Sequence, residues 1–210
     1  MIKNIIFDIG SVIFQSDINK MVKEYTTDYE EQEFIIENIY KSPEWTKYGL
    51  IDTGYISLET AILLIQDRTN HERDELVRDF LTNYPDLGFV SSKVISLIHA
   101  LKDNGYSVYV LSNISESFFK KIDFSDLLNY IDGYILSYQV HQIKPYKGIY
   151  NTLLAKYDLN PLECLFIDDK EENLKTANTL GIKGENVIPN NFESIVDLLK
   201  KYNIMEWLYD

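Results

Sequence analysis

The chain has 210 residues and a formal net charge of −13 at pH 7, and 45 % of its residues are hydrophobic. A protein this acidic repels nucleic-acid backbones and anionic membrane surfaces, so we expect neither nucleic acid nor a membrane as a partner. The single cysteine, Cys164, excludes an intramolecular disulfide and a cysteine-rich metal site. No apolar stretch approaches the roughly 20 residues of a membrane span, and we expect a soluble, cytoplasmic protein.

Four short apolar runs, each rich in β-forming residues and each ending at a polar turn, predict buried parallel strands. They are Asn4–Phe7, Ser107–Leu111, Gly133–Leu136 and Cys164–Ile167. A weaker fifth strand is predicted near Glu185–Ile188, and helical patterns lie between the strands. Strand alternating with helix indicates an α/β fold with a doubly wound, Rossmann-like parallel sheet.

The segment between Asp17 and Asp86 breaks this alternation because it contains helical patterns and no convincing buried strand. The patterns lie at Met21–Tyr25, Glu31–Tyr40, Leu58–Asp67 and Glu72–Leu81. We interpret residues 17–86 as a small all-helical cap domain inserted after the first strand. Residues 1–16 and 87–210 then form the α/β core domain, and residues 84–88 are predicted to be the return hinge.

Polar residues follow the predicted strands, at the sheet edge where open α/β proteins bind their ligands. They are Asp8 after the first strand, Ser112 and Asn113 after the second, Lys144-Pro145 after the third, and Asp168 and Asp169 after the fourth. Each has a structural explanation when taken singly; Ser112, for example, could be the N-cap of a helix starting near Glu116. Their joint occurrence in this order favours a functional site.

These residue types suit phosphoryl transfer that is assisted by a metal ion. A carboxylate such as Asp8 can attack phosphorus and form an aspartyl-phosphate. Mg²⁺ prefers oxygen ligands, which Asp8 and the carbonyl of Gly10 can provide. Asp168 or Asp169 can provide a further ligand, and the sequence therefore predicts a magnesium site beside Asp8.

The same edge offers groups that could hold a phosphate. Lys144 can neutralise phosphate charge and thereby assist catalysis. The Ser112 hydroxyl and the backbone near Asn113 can donate hydrogen bonds to the phosphate oxygens. We therefore expect Asp8 and Lys144 to be catalytic, and Ser112, Asn113 and Lys144 to bind substrate.

These motifs resemble, in order, those of the haloacid dehalogenase superfamily of aspartate-nucleophile hydrolases. They are Ile5 to Val12, Val110 to Asn113, Lys144-Pro145, and Phe166 to Asp169 with Asn173. The chain looks most similar to the subgroup of the α-glucose-1-phosphate phosphatases and the amino-terminal domain of soluble epoxide hydrolase. The resemblance implies that Asp169 contacts the metal directly and Asp168 supports it, and that the helical cap closes over the site and selects the substrate.

Gly10 departs from the pattern of most phosphatases of this superfamily, which carry a second aspartate there as general acid and base. Our hypothesis is a Mg²⁺-dependent phosphomonoesterase that acts on a small phosphorylated metabolite. Without an acid at position 10, esters with acidic leaving alcohols such as sugar 1-phosphates become candidate substrates. Asp17, His141 or a cap residue could instead supply the proton, and Tyr48 or Tyr55 could face a sugar.

Two alternatives remain open. A hydrolytic dehalogenase needs neither a metal nor a general acid, because halide leaves unprotonated. Asp168 and Asp169 beside Asp8 would then be uncompensated charge where an anionic substrate binds. A catalytically silent phosphate-binding or partner-binding module would also tolerate Gly10. Turnover of p-nitrophenyl phosphate with Mg²⁺ separates both alternatives from a phosphatase.

Overall fold

A computed structural model describes residues 1–47 and 49–204. In this part of the chain, five parallel strands form one sheet and two short strands form an antiparallel pair. The strands are β1 Asn4–Phe7, β2 Phe14–Gln15, β3 Phe89–Val90, β4 Ser107–Ser112, β5 Gly133–Leu136, β6 Cys164–Asp168 and β7 Lys183–Asn186. The five-stranded sheet has the order β5-β4-β1-β6-β7. The predicted parallel α/β sheet is therefore confirmed.

Helices fill most of the remaining described chain. They are α1 Ile18–Tyr25, α2 Tyr29–Phe34, α3 Leu58–Arg68, α4 Asp74–Asn83, α5 Ser92–Asp103, α6 Glu116–Lys121, α7 Ser125–Tyr130, α8 Ser137–Val140, α9 Lys147–Lys156, α10 Glu171–Thr179 and α11 Phe192–Lys201. Wider π-helical turns occur at Ile35–Tyr40 and Pro43–Lys47, and tighter 3₁₀ turns at Tyr84–Leu87 and Pro161–Glu163. None of the helices in the described ranges is long and apolar enough to span a membrane.

The sheet is covered on both faces because successive strand residues point to opposite sides. Ile5 and Phe7 of β1 pack in one apolar cluster with residues of α5 and α11. Ile6 packs in a second cluster with residues of α9 and α10. All three β1 side chains are fully buried. Helices on both faces are what a doubly wound sheet requires.

Strand β7 lies two residues earlier than the sequence pattern predicts. The pattern predicts Glu185–Ile188, whereas the observed strand is Lys183–Asn186. β7 is an edge strand with exposed or half-buried residues, so it carries little apolar signal. The apolar residues that follow it, Val187 and Ile188, shift the predicted strand toward the C-terminus.

The register of the sheet brings the predicted site residues to one edge. Phe7, the last residue of β1, pairs with Val110 of β4 and with Ile167 of β6. The next residue, Asp8, donates its backbone N–H to the carbonyl of Ile167 over 3.0 Å. Asp8 therefore lies beside the carboxyl ends of both neighbouring strands, between Ser112 and Asp168.

Residues 17–86, here called the cap segment, have an apolar cluster of their own. Its fully buried members include Ile35 and Ile39 of a π-helical turn, Ile65 of α3 and Phe80 of α4. The chain enters the cap segment after β2 and leaves it before β3, and these two strands pair with each other. The 3₁₀ turn Tyr84–Leu87 lies within the predicted return hinge. The division into core and cap domains stays a prediction.

Candidate active site

Lys144 joins two carboxylates at the carboxyl edge of the sheet. Its Nζ lies 2.9 Å from Asp8 Oδ1 and 2.7 Å from Asp168 Oδ2, and it also donates to the carbonyl of Leu111 over 2.9 Å. Asp8 is 6 % exposed, Lys144 4 % and Asp168 0 %. Charges this deeply buried must be paired, because an unpaired ion there costs several kcal/mol. Asp8 and Lys144, which are far apart in sequence, thus form one buried ion pair.

Asn113 fixes the chain segment that carries Lys144. The backbone N–H of Lys144 donates to Asn113 Oδ1 over 2.8 Å, and Asn113 Nδ2 donates to the carbonyl of Lys144 over 2.9 Å. Both polar ends of the Asn113 side chain are therefore engaged by protein. The side chain of Asn113 thus holds Lys144 in place. A contact between the backbone of Asn113 and the substrate stays a prediction.

The two consecutive aspartates after β6 have different surroundings. Asp168 accepts from Lys144, from Nδ2 of Asn173 on both carboxylate oxygens at 2.9 and 3.0 Å, and from the backbone N–H of Lys170 at 2.8 Å. Asp169, by contrast, has a buried Oδ1 atom with no hydrogen-bond partner among the described residues. Buried carboxylate oxygens are normally satisfied, so an orphaned one points to a missing ligand.

Mg²⁺ fits this arrangement. Oxygen atoms of Asp8, Asp168 and Asp169 lie within 4.8 Å of one another, and these three carboxylates are called the carboxylate cluster. With Lys144 as the one buried ammonium that contacts the described cluster, negative charge remains uncompensated. A hard dication with oxygen ligands compensates this charge and gives Asp169 Oδ1 a partner. A metal contact from the Gly10 carbonyl stays a prediction.

The pKa values in the cluster reflect burial and mutual charge. Burial raises the pKa of Asp8, against the lowering effect of Lys144. Burial alone would lower the pKa of Lys144, but Asp168 and Asp8 raise it above its usual value. Burial also raises the pKa of Asp169 to about 6, with Asp8 and Asp168 adding to the shift. Lys144 therefore stays protonated at neutral pH, and a cation that binds Asp169 can readily displace the proton from its carboxyl group.

A cavity of about 220 Å³ lies between the sheet edge and the cap segment, and its lining begins at Ile9, the residue after Asp8. The sheet side contributes Gly10, Ser112 and Asn113. The cap segment contributes a surface that we call the cap wall, formed by Ile18, Met21, Tyr40, Trp45, Ile51, Asp52, Leu58, Leu81 and Tyr84. Ser112 ends β4 and lines this cavity, so its hydroxyl is available to a group bound there.

This geometry overturns one local interpretation from the sequence and gives the surroundings of two residues whose suggested roles as proton donors stay predictions. The N-cap of α6 is Ser115, which accepts from the backbone N–H of Phe118, so the interpretation of Ser112 as that cap is wrong. Asp17 is exposed and caps α1, and it does not line the cavity. His141 contacts the carbonyl of Thr53 in the cap segment at 2.8 Å and stacks on Tyr55. The other tyrosine suggested for sugar contact, Tyr48, lies outside the described residues.

Sequence reasoning missed Asp52. This residue lies in the cap segment and lines the same cavity as Gly10, and burial raises its pKa to about 6. Its immediate sequence, Ile51-Asp52-Thr53-Gly54, resembles an ordinary turn and offers no periodic pattern. Only the packing of the cap segment against the sheet edge reveals its position.

Comparisons with known proteins agree with this architecture. Residues 2–181 match the family of haloacid dehalogenase-like hydrolases. The D-ribitol-5-phosphate phosphatase of Bacteroides thetaiotaomicron is 26 % identical over 196 residues, which cover 87 % of this chain and 90 % of that relative. A haloacid dehalogenase family enzyme from the same organism, solved with magnesium and inorganic phosphate, shares the fold with a TM-score of 0.73 at 21 % identity, over 93 % of this chain and 99 % of that one.

A dehalogenase also shares the fold. The L-2-haloacid dehalogenase of Xanthobacter autotrophicus, with chloropropionic acid covalently bound, matches with a TM-score of 0.65 at 15 % identity, over 97 % of this chain and 84 % of that one. Fold alone therefore does not separate the two chemistries. The predicted likeness to the α-glucose-1-phosphate phosphatase subgroup stays a prediction. The family match over residues 2–181 confirms the predicted superfamily: this chain belongs to the haloacid dehalogenase-like hydrolases.

Proposed function

We propose that this hydrolase is a Mg²⁺-dependent phosphomonoesterase that acts on a small phosphorylated metabolite through an aspartyl-phosphate on Asp8. The observation that carries the proposal is the buried Asp169 Oδ1, which has no partner among the described residues although it lies in the carboxylate cluster with Asp8. A dehalogenase needs no metal at this place. An unsatisfied carboxylate oxygen next to the nucleophile is what a metal-assisted phosphatase requires.

The residues of the chain divide the chemistry between them. Asp8 Oδ attacks phosphorus while Lys144, which contacts Asp8 at 2.9 Å, neutralises charge on the phosphoryl oxygens. The hydroxyl of Ser112, at the end of β4, donates a hydrogen bond to a phosphoryl oxygen. Asp168 holds Lys144 in place, and Asp169 with Asp8 would hold Mg²⁺. When bound, Mg²⁺ supplies Lewis-acid stabilisation of the negative charge that phosphoryl transfer concentrates at this edge.

The relatives support the phosphatase over the dehalogenase. The Bacteroides relative that covers most of the chain is a D-ribitol-5-phosphate phosphatase, and a structural neighbour was solved with magnesium and inorganic phosphate. The dehalogenase neighbour matches with a lower TM-score and lower identity. Each of these properties belongs to the relative, and their agreement with the carboxylate cluster is what favours the same chemistry in this chain.

The cap wall limits the organic part of the substrate. Tyr40, Trp45 and Tyr84 contribute aromatic surface, and their rings pack together, with Trp45 and Tyr84 centroids 4.7 Å apart. Within the described lining of this wall, Asp52 is the only charged residue, and no cation is present to bind a second phosphate. We therefore assign a small, uncharged organic part with apolar faces. Sugar 1-phosphates and pentitol 5-phosphates both meet this requirement.

A substrate panel tests the proposal directly. The purified protein would be assayed with p-nitrophenyl phosphate, sugar 1-phosphates, sugar 6-phosphates, D-ribitol 5-phosphate, a sugar bisphosphate and 2-chloropropionate, with Mg²⁺ and after EDTA treatment. We expect Mg²⁺-dependent release of inorganic phosphate from monophosphates and little from the bisphosphate. Chloride release that persists in EDTA would establish the dehalogenase instead. Binding of phosphate without any turnover would establish the silent module.

A further inference from the structure

Asp52 is placed by a short loop that is fixed to the α/β core. The hydroxyl of Ser137, at the start of α8, donates to the backbone carbonyl of Asp52 over 2.5 Å. That same hydroxyl accepts from the backbone N–H of Ile114, next to the site residues that follow β4. The loop therefore holds Asp52 by its main-chain carbonyl, and Asp52 lines the cavity together with Gly10 and Ser112.

Two further contacts fix the same loop. The carbonyl of Thr53 lies 2.8 Å from His141 Nδ1. Gly54 has a positive φ of 69°, and a Cβ atom there would approach the carbonyl oxygen of Tyr138 to 2.7 Å. Only glycine allows this close approach of the loop to α8. The position of Asp52 is therefore set by a contact of its own carbonyl and by contacts of the two residues that follow it, as a reacting group requires.

The charges around Asp52 are those of the proposed active site. Burial raises the pKa of Asp52 to about 6, Lys170 and Lys144 lower it, and Asp8 raises it. Tyr84, a neighbour in the cap wall, has a pKa raised by burial and by Asp52. A carboxyl group with this pKa is partly protonated near neutral pH and can exchange a proton during a reaction cycle.

Position 10 leaves space where most phosphatases of the superfamily carry a carboxylate. No heavy atom outside the neighbouring residues lies within 4 Å of the position that a Cβ on Gly10 would take. The chain thus provides an open volume at Gly10 and a carboxylate in the cap wall of the same cavity. We propose that Asp52, delivered by the cap segment, is the general acid and base of the reaction; this inference rests on the proposed phosphatase function.

Asp52 regains in the second step of the proposed cycle the proton that it gives up in the first. In the first step the Asp8 Oδ–P bond forms, the ester P–O bond breaks, and protonated Asp52 gives its proton to the leaving alkoxide. In the second step Asp52 carboxylate takes a proton from water as the water oxygen bonds to phosphorus. The Asp8 Oδ–P bond then breaks, which releases phosphate, free Asp8 carboxylate and protonated Asp52.

The test compares leaving groups in the variant Asp52→Asn, which keeps the shape and leaves the main-chain anchor to Ser137 in place. The need for an acid grows with the pKa of the leaving alcohol. For D-ribitol 5-phosphate, a primary-alcohol ester, we expect kcat/KM to fall by about 10²–10⁴-fold. For p-nitrophenyl phosphate, whose phenolate leaves readily, kcat/KM should fall by less than about 10-fold. Asp67→Asn, an exposed carboxylate of the same cap segment, is the matched control and should leave both values unchanged.

A second variant separates catalysis from folding or binding. Gly10→Asp combined with Asp52→Asn places a carboxylate on the sheet side of the cavity, and it should recover a large part of the lost kcat/KM for the primary-alcohol ester. In the wild type, the limb of the kcat/KM profile that reports the acid should follow a group with a pKa near 6 in the free enzyme, and Asp52→Asn should abolish it.

The outcomes are distinguishable. Equal losses on both substrates, or no loss on either, would overturn the role of Asp52 while Asp8→Asn still inactivates and Mg²⁺ is still required. Turnover that survives Asp8→Asn, or no Mg²⁺-dependent turnover of any phosphate ester, would overturn the proposed function itself. Steeper dependence on leaving-group pKa in Asp52→Asn, with recovery by the carboxylate at position 10, would support the inference.

Discussion

The two sides of the cavity differ in the chemistry of their residues. On the sheet side, Asp8 and Asp168 are buried, and each pairs with the ammonium of Lys144, at 2.9 and 2.7 Å. On the cap side, aromatic and aliphatic side chains such as Trp45 and Leu58 dominate. The sheet side can hold a phosphoryl group of any ester, since it contacts only charge common to all of them. The cap wall meets the part of the substrate that differs, so we expect it to determine selectivity.

The largest effect should follow from removing the nucleophile on the sheet side. Asp8→Asn keeps the size of the side chain but removes its nucleophilic charge. We expect kcat/KM to fall by roughly 10³-fold or more on every phosphomonoester, whatever its organic part. Steady-state assays with p-nitrophenyl phosphate and D-ribitol 5-phosphate measure this loss. Asp67→Asn serves as the control, and a variant at position 8 that kept a tenth of the wild-type rate would refute the assignment.

The second prediction concerns the stability of the sheet side. Lys144→Met removes the ammonium that pairs Asp8 with Asp168 and leaves two buried carboxylates without it. Loss of one partner of a buried ion pair costs about 3–5 kcal/mol. We expect the free energy of unfolding, measured by urea titration without Mg²⁺, to fall by an amount in this range. Lys102→Met, which removes a surface pair with Asp132, should cost about 1 kcal/mol or less. Equal losses of unfolding free energy in the two variants would show that the buried pair stabilises the protein no more than the surface pair does.

Mg²⁺ should stabilise the protein in a pH-dependent manner. The pKa of Asp169 is about 6 in the folded protein and close to 3.9 in an unfolded chain. Between these values the folded state binds more protons, so without metal this group makes stability fall as pH rises. Mg²⁺ binds the ionised form and reverses that loss. The increase in Tm on adding Mg²⁺ should therefore be larger at about pH 7.5 than at about pH 5, by a few degrees at saturating metal.

Asp169→Asn is the matched variant for this metal effect. It removes the charge of the carboxylate whose Oδ1 has no partner in the described structure, so the increase in Tm with Mg²⁺ should largely disappear at both pH values. The same shift in wild type and variant would show that the cation binds elsewhere. Calorimetry or thermal scanning reads this out without any substrate.

The sheet side is largely predictable from the sequence, and for a physical reason. Parallel strands give short apolar runs, and the residues directly after them meet at one edge, so the strand pattern alone places Asp8, Ser112 and Asp168 together. The sequence pattern misplaces the edge strand β7 because this strand carries almost no apolar signal. The hydrogen bonds that distinguish Asp168 from Asp169 depend on side-chain geometry, which strand patterns do not contain.

The cap side is predictable only as helical. Its helices show apolar periodicity, but that pattern reports which residues pack inside the segment and not which ones face the sheet edge. Asp52 lies between helical elements, so periodicity says nothing of it. Its position follows from long-range contacts such as that between its carbonyl and Ser137, 85 residues later in the chain. The region that we expect to carry selectivity is thus the one that sequence patterns describe least.

The smallest predicted effect tests whether the cap wall acts on substrate binding alone. Trp45→Phe reduces the aromatic surface of the cap wall without adding charge or altering the carboxylate cluster. One altered apolar contact changes discrimination by about 1–3 kcal/mol at most. We expect KM for a sugar phosphate to rise by roughly 2–10-fold, with kcat nearly unchanged, because the lost contact exists in both the ground state and the transition state. Acetyl phosphate, whose organic part is too small to fill the cavity, should be hydrolysed equally well by both proteins. If Trp45→Phe instead slowed both substrates equally through kcat, the cap wall would take part in the chemistry of phosphoryl transfer, and the separation between a general phosphoryl site and a selective cap would fail.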